Sequence, residues 1–473
     1  MSKAITKTKL ICTIGPASND EATIRKMIEN GMNVARLNFS HGTHESHRAT
    51  IQLVRKIAKE MGVNIGFLQD LCGPKIRLGK LPEEGVRLLV GDYIALASTE
   101  ENCENALPVE YPELHKEVQI GERILLADGM MELRVTGIDG VKVLCEVITG
   151  GVAYTKKGVN MPQSDLHVLA FSEKDRKDLT MGLEEKIDFV ALSFVRSAKD
   201  LEEIKRILDN SNHRPLLIAK IEKPQAVENL EEILDVVDGV MVARGDLGVE
   251  MPLEQMPHVQ KRIITQAKNA GRITITATQM LASMVKAQRP TRSETTDVAN
   301  AVIDGTDALM LSDETANGNY PEIAVETLAR IARAAEMHSQ YTPDFDSSLF
   351  RNSHSYTLAI GRAACWLAKD VGAKAIVSYS ATGLAPYCIS RFRPDCELLV
   401  LTFEPRVCSG MSLIWGAQAL YHEVMTDMDS VVETAKIKAI ETGLVEKGDT
   451  IIVTAGMPFG KTGTTSLLRL VQI

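Results

Sequence analysis

Eight short apolar runs, most of them followed by a stretch of helical periodicity, constrain this chain more than any other feature. They are "KLICTIG" (9–15), "MNVARLNF" (32–39), "NIGFLQDL" (64–71), "DFVALSFV" (188–195), "LLIAKIE" (216–222), "GVMVARGDL" (239–247), "RITITATQM" (272–280) and "ALMLSDET" (308–315). Helix patterns with clear starts and stops lie between most of them, one over Asn19 to Gly31 and another from near Gln225 to just before Asp238. Buried β-branched strands alternating with helices form parallel sheets. Eight such units predict an α/β fold, a closed (β/α)₈ barrel with its chemistry at the C-terminal ends of the strands.

One unit is interrupted. The third run ends near Leu71, yet its helix, "SEKDRKDLTMGLEEK" capped by Ser172, comes a hundred residues later. The intervening stretch is rich in Val, Gly and short alternating runs, which predicts a small β-barrel inserted over the barrel mouth as a lid. From about Ser353 the helix pattern "YTLAIGRAACWLAKDVG" and the runs "AKAIVSYS", "CELLVLTF", "QALYHEV", "DTIIVTAG" and "SLLRLVQI" predict a further α/β domain. The expected division is 1–74 with 161–345 for the barrel, 75–160 for the lid and 346–473 for the C-terminal domain.

A length of 473 residues suits two or three domains. The formal net charge of −9 argues against a general nucleic-acid or membrane-surface binder. No apolar run reaches transmembrane length, and the start "MSKAITKTKLICTIGP" lacks the pattern of a signal peptide. The eight cysteines are scattered without a C-x-x-C pair, as expected of reduced thiols in a cytoplasmic protein.

The strand ends carry polar groups: Arg36 and Asn38, Asp70, Ser193, Lys220 and Glu222, Arg244 and Asp246, Thr278, and Ser312 and Glu314. A single Ser or Thr there reads first as a helix cap. Acids and bases within apolar runs need partners. Glu222 and Asp246 end neighbouring runs, so their carboxylates can converge on a hard divalent cation, and Mg²⁺ takes one or two protein carboxylates with waters and substrate oxygens. Strand alternation points Lys220 and Glu222 to the interior together. Arg36 offers a planar fork suited to phosphate, and Gly245 lets the backbone approach an anion. A phosphorylated carboxylic acid on Mg²⁺ fits this set. A structural Lys–Glu pair, or a Schiff base on Lys220 as in an aldolase-type lyase, fits it too.

Near the end, "GMPFGKTGTT" (456–465) has the look of a P-loop. Only three residues separate Gly456 from Gly460, one too few for G-x-x-x-x-G-K-[ST], and the following "SLLRLVQI" reads as a strand. The phosphate-wrapping loop is therefore excluded, while a simpler phosphate cradle remains compatible with the composition. The loop "SYSATG" (378–383), at a strand-to-helix junction, is a second candidate cradle.

The motifs "CTIGPAS", "ARLNFSHG", "GPKIR", "KKGVNMP", "AKIEKPQ", "MVARGDLGVE", "TATQMLASM", "RPTRSETTDVANAV" and "LSDETANGNYP" closely resemble pyruvate kinase, over essentially the whole chain and without an extra C-terminal extension. The resemblance implies phosphoryl transfer from phosphoenolpyruvate to ADP, giving pyruvate and ATP at the last step of glycolysis. It makes Glu222 and Asp246 the ligands of Mg²⁺, for which Mn²⁺ can stand in. Lys220 is the cation at the transferring phosphoryl group and enolate, and Arg36 the phosphate holder. Gly245, Asp246 and Thr278 bind the substrate carboxylate, and Thr278 with Ser312 organises the proton relay. Asn38, His41, Arg77 and Lys157 fall on the nucleotide side.

In the C-terminal domain the resemblance implies a site for a phosphorylated effector built from Ser378, Ser380, Thr382, Lys461, Thr462 and Thr464, in a cytoplasmic homotetramer. Arg391 and Arg393, nearby in sequence, are read as solvated surface. A catalytically silent metabolite sensor is the remaining alternative. Two departures from the commoner family pattern stand out. Asp313 replaces a glycine, at a cost of about 1 kcal/mol if that position needs φ > 0. In "DLCGPKIR", Lys75 and Leu71 replace Glu and Thr, which resembles the K⁺-independent branch: a fixed ammonium supplies the charge of a monovalent cation, although Asn38, Ser40 and Asp70 are retained.

Overall fold

The computed structural model describes residues 6–99, 105–164, 167–338, 356–457 and 464–473. Eight parallel strands close into a barrel in chain order: Lys9–Thr13, Val34–Asn38, Gly66–Asp70, Phe189–Leu192, Leu216–Ile221, Gly239–Ala243, Ile273–Ala277 and Ala308–Leu311. The two-residue alternation of strands decides which side chains line it. Ile11, Val34, Leu68, Ala191, Ile218 and Met310 belong to one buried cluster, that of the barrel interior, whereas Leu10, Ala35, Phe67, Val190, Leu217 and Leu309 pack in the layer under the helices. Two residues beyond each interior residue lie Thr13, Arg36, Asp70, Ser193, Lys220 and Ser312. The parity that buries the apolar residues thus brings the polar ones to the mouth.

Several runs end as strands earlier than their apolar character predicts. The sixth stops at Ala243, and Arg244–Glu250 is helical, so Asp246 sits in a helix and does not end a strand. The turn is held from the neighbouring strand end, where Thr278 Oγ1 accepts the Gly245 N–H and the Thr278 carbonyl accepts Arg244. The helix expected from Gln225 to Asp238 is two pieces, Pro224–Glu228 and Leu230–Val236, broken at Asn229. The first helix runs Glu21–Glu29 with Asp20 as its cap, and Ser172 caps Glu173–Glu184 in a reciprocal capping box.

The inserted segment builds a six-stranded sheet and a two-stranded ribbon, Val86–Leu88 with Gly151–Ala153, around one apolar core. This is the small barrel expected there, made of two hydrogen-bonded sheets and not of one continuous ring. The C-terminal domain has a five-stranded sheet in the order Ala417–Tyr421, Glu397–Thr402, Ala375–Tyr379, Thr450–Gly456, Thr465–Gln472, with the last strand antiparallel. That strand takes the place a P-loop helix would need.

The barrel and C-terminal domain share an apolar cluster and are joined by buried cations. Lys9 Nζ donates to the Ala417 carbonyl at 2.7 Å. Arg393 corrects the expectation of solvated surface. It is 6% exposed, donates to Gly305 O and Asp307 Oδ1 at 2.7 Å each, and stacks on Trp415. Arg391 also faces inward, donating to the carbonyls of Lys268 and Asn269 at the end of a barrel helix. Sequence proximity to a polar loop said nothing of the interdomain surface that needs these cations. The seven described cysteines are all free. Among the described residues, no helix is long and apolar enough to cross a membrane.

Candidate active site

At the barrel mouth one buried carboxylate organises two cations. Asp70, 2% exposed, accepts Arg36 Nε at 2.8 Å and lies 3.2 Å from Lys220 Nζ. Arg36 also donates to Thr13 Oγ1 at 2.8 Å. Lys220 reaches Glu222 Oε1 at 2.9 Å and donates to Ser193 Oγ at 2.8 Å; Ser193 Oγ in turn donates to the Leu71 carbonyl. Burial alone would raise the Asp70 pKa, but Lys220 and Arg36 outweigh it and hold the carboxyl below its usual range. Burial would likewise lower the Lys220 pKa, and Asp70 with Glu222 reverses that, keeping the ammonium charged.

Glu222, 1% exposed, accepts the Phe194 N–H at 2.8 Å. Its pKa is raised by burial and by the neighbouring Asp246 charge, against the pull of Lys220. Two carboxylates close enough to repel one another could together hold a divalent cation. Among the described residues no group of three or more His, Cys, Asp and Glu side chains gathers as a metal cage. A pair is what a cation that keeps waters and substrate oxygens requires. Asp246 also lies 3.8 Å from Lys75 Nζ, which in turn lies 3.6 Å from Asp128 of the inserted domain. Lys75 points inward, then, toward the carboxylates.

Beside this cluster Thr278 takes a left-handed conformation, φ +65°, and its Oγ1 accepts the Gly245 N–H at 2.8 Å. A β-branched residue rarely adopts φ > 0 without support. The support is Arg244, which donates to the Thr278 carbonyl at 2.7 Å and forms a two-pronged pair with Asp297. Arg244 is hence a brace for the mouth and not a free charge in it. Ser312 Oγ is buried and, among the described residues, has no hydrogen-bond partner; the Ser312 N–H is held by Glu314 Oε2 at 2.8 Å. Asp313 begins a short helix and is not among the residues with positive φ, so the strain considered for it does not arise.

Arg77 and Lys157 come together through the bridge Arg77↔Gly158, with Arg77 donating to the Lys156 carbonyl. Asn38 turns its side chain to the Ser40 N–H, and His41 lies exposed on the following loop, its carbonyl facing His47. Sequence reasoning missed the buried Glu250, whose Oε1 faces Asn160 at 2.8 Å and Lys223 at 2.6 Å. Its only signal was an acid at the end of "GDLGVE".

In the C-terminal domain Ser380, Thr382, Gly456, Thr464 and Thr465 line one small cavity, so the two hydroxyl-rich loops do meet. Ser378 does not join them: it lies fully buried within the strand Ala375–Tyr379, opposite Thr454. It lies inside the strand, on the face it shares with Ile376, whereas the cavity is lined from Tyr379 onward, where the strand ends. Lys461 and Thr462 lie outside the described residues.

A barrel mouth with a cation cluster shaped for a phosphoryl group beside a carboxylate pair, under an inserted domain, defines a (β/α)₈-barrel phosphotransferase. Residues 5–325 match the family described as "Pyruvate kinase, barrel domain", and residues 358–471 match "Pyruvate kinase, alpha/beta domain". Pyruvate kinases of Staphylococcus aureus strains MRSA252 and USA300 are each 42% identical over 467 residues, covering 98% of this chain and 80% of the relative. A crystal structure of a pyruvate kinase from Cryptosporidium parvum superposes with a TM-score of 0.92 at 35% identity, covering 99% of this chain and 96% of that one. The chain belongs to the pyruvate kinase family.

Proposed function

We propose that this enzyme transfers the phosphoryl group of phosphoenolpyruvate to ADP, giving pyruvate and ATP, as the last step of glycolysis in the cytoplasm. The observation that carries the reading is the convergence of Arg36, Lys220 and the Glu222–Asp246 pair at the mouth of the barrel. Glu222 and Asp246 hold Mg²⁺, with Mn²⁺ as a substitute. The bound cation supplies charge neutralisation for phosphoryl and enolate oxygens.

The chain's own groups do the positioning. Arg36 grips the phosphate with a guanidinium already oriented by Asp70 and Thr13. Lys220, kept charged by Asp70 and Glu222, neutralises the phosphoryl group in flight and then the enolate oxygen, in line with the electrostatic nature of this chemistry. The substrate carboxylate takes the N–H groups of Gly245 and Asp246 with the Thr278 hydroxyl, displacing the Gly245–Thr278 bond. The buried Ser312 hydroxyl, with Thr278, completes the proton path to the enolate carbon. Arg77 and Lys157, under the lid, with Asn38 and His41, take the nucleotide. A Schiff base at Lys220 is disfavoured because it requires a neutral amine, and the surrounding carboxylates favour the ammonium.

The inward direction of Lys75 supports its role as a fixed monovalent charge, so K⁺ is not required. The shared cavity of Ser380, Thr382 and Thr464 supports a regulatory site for a phosphorylated metabolite, with Lys461 and Thr462 from the same loop. The family resemblance supports a homotetramer. The test is steady-state turnover with phosphoenolpyruvate, ADP and Mg²⁺ in K⁺-free, Na⁺-free buffer. ATP formation at a rate near that with added K⁺ is expected. No ATP formation with either buffer would reject the transfer itself, and strong activation by K⁺ would reject only the assignment of Lys75.

A further inference from the structure

The helix Arg244–Glu250 is held to the inserted domain at both ends. At its start, Asp246 lies 3.8 Å from Lys75 Nζ, which reaches Asp128 of the lid. At its end, Glu250, 4% exposed, takes the Asn160 side-chain N–H on Oε1 at 2.8 Å. Asn160 is itself buried, on the strand Val159–Asn160 by which the lid returns to the barrel. Between these two points the lid turn at Gly129 lies in ordinary van der Waals reach of Val249, where an added Cβ would stand 3.5 Å from its methyl carbon. The same Glu250 oxygen also holds Lys223 at 2.6 Å, and Lys223 directly follows Glu222.

One buried carboxylate therefore joins three segments: the one ending in Glu222, the helix Arg244–Glu250 that carries Asp246, and the root of the lid. A buried carboxylate is stable only with such partners, and here those partners lie on parts of the molecule that must be in register for phosphoryl transfer. We infer that Glu250 is a positioning residue that couples the orientation of the lid to the placement of the Glu222–Asp246 pair. The inference rests on the reading of that pair as the metal site. It assigns Glu250 no contact with substrate. When Asn160 moves with the lid, the pull on Glu250 is passed to the helix that carries Asp246, and through Lys223 to the residue beside Glu222.

Two variants separate the links. Asn160→Ala cuts the tie to the lid and leaves the Glu250–Lys223 pair intact, whereas Glu250→Gln removes the charge facing Lys223. Partners that orient metal ligands from outside the coordination sphere are worth about 10–100-fold in metal affinity or activity. Each variant is expected to raise the Mg²⁺ concentration for half-maximal activity by about tenfold, and the double variant to be no worse than Glu250→Gln, since both links run through Glu250. Hydrogen exchange read by mass spectrometry on the whole enzyme should show faster exchange in 156–161 and in 244–250 together for Asn160→Ala. Faster exchange confined to 156–161, or a lowered melting temperature with an unchanged Mg²⁺ titration, would overturn the inference. Glu222→Gln serves as the control. If it leaves the Mg²⁺ titration unchanged, the metal assignment has failed, and the exchange result alone then decides whether lid and helix are coupled.

Discussion

Arg244 donates to the carbonyl of Thr278 at 2.7 Å, and so holds a threonine in the left-handed region at the place where it faces Gly245. A conformation of this kind costs on the order of 1–3 kcal/mol and persists only where the surroundings impose it. Arg244→Lys keeps the charge and loses the fork that spans Asp297 and Thr278. We expect kcat/KM for phosphoenolpyruvate to fall by roughly 100-fold, because a displacement of about 1 Å at a positioned group has that effect. Loss of stability without loss of kcat/KM would show that the brace serves folding alone.

Lys220→Met should abolish turnover, by on the order of 1000-fold, while Mg²⁺ still binds, because the lysine supplies charge during transfer and Glu222 with Asp246 holds the cation. Glu222→Gln and Asp246→Asn should instead raise the Mg²⁺ requirement. Turnover of Lys220→Met near that of the parent enzyme would remove Lys220 from the mechanism.

Lys75→Glu should make the enzyme slow or responsive to K⁺. The reversal of charge would face Asp128 and Asp246, both within 4 Å of the present ammonium, and a bound cation would be needed to offset it. Rates in K⁺-free and K⁺-containing buffer measure this directly. Equal rates in both for the variant would reject the substitution idea.

The cavity shared by Thr382 and Thr464 predicts that Thr382→Val weakens the response to a phosphorylated activator by about tenfold in its half-maximal concentration, with activity at saturating substrate unchanged. The measurement is activation at subsaturating phosphoenolpyruvate across sugar phosphates and AMP. An unaltered response would move the effector elsewhere.

Lys9 gives a pH prediction for stability. Burial lowers its pKa from the ordinary 10.5 to about 8, against the pull of Glu397 and Glu336. Between those values the unfolded chain binds the proton and the folded one does not, so stability rises with pH there; below pH 8 the full penalty applies. The drop corresponds to about 3 kcal/mol. Thermal melts of the parent and of Lys9→Met, from pH 7 to 10.5, should show the parent gaining on the variant as pH rises through 8. A constant difference over that window would place the Lys9 ammonium in water.

The alternation of apolar runs with helix patterns was enough to predict the barrel, because burial on both faces of a parallel strand leaves a local mark in every run. The same parity made Arg36, Asp70, Lys220 and Glu222 legible, since each lies two residues beyond, or in step with, an interior apolar residue. The family motifs then attached roles to them. Less was legible where the chain turned. "GVMVARGDL" reads as one strand, yet it breaks at Ala243, and nothing in its local composition marks the residue at which a barrel strand meets its rim.

Asp313 could be judged only by its backbone angle, and Ser378 only by where its strand ends. Arg393 looked like surface because its partners, Gly305, Asp307 and Trp415, belong to other segments. Glu250 is the fullest case. Its sequence neighbourhood announces the helix that bears Asp246, but its partners Asn160 and Lys223 lie 90 and 27 residues away. The sequence by itself determined which apolar runs form the barrel, which charges reach its mouth and which family they spell. Only the tertiary structure decided which buried charges face one another, because pairing energy depends on distances between segments that no local pattern encodes.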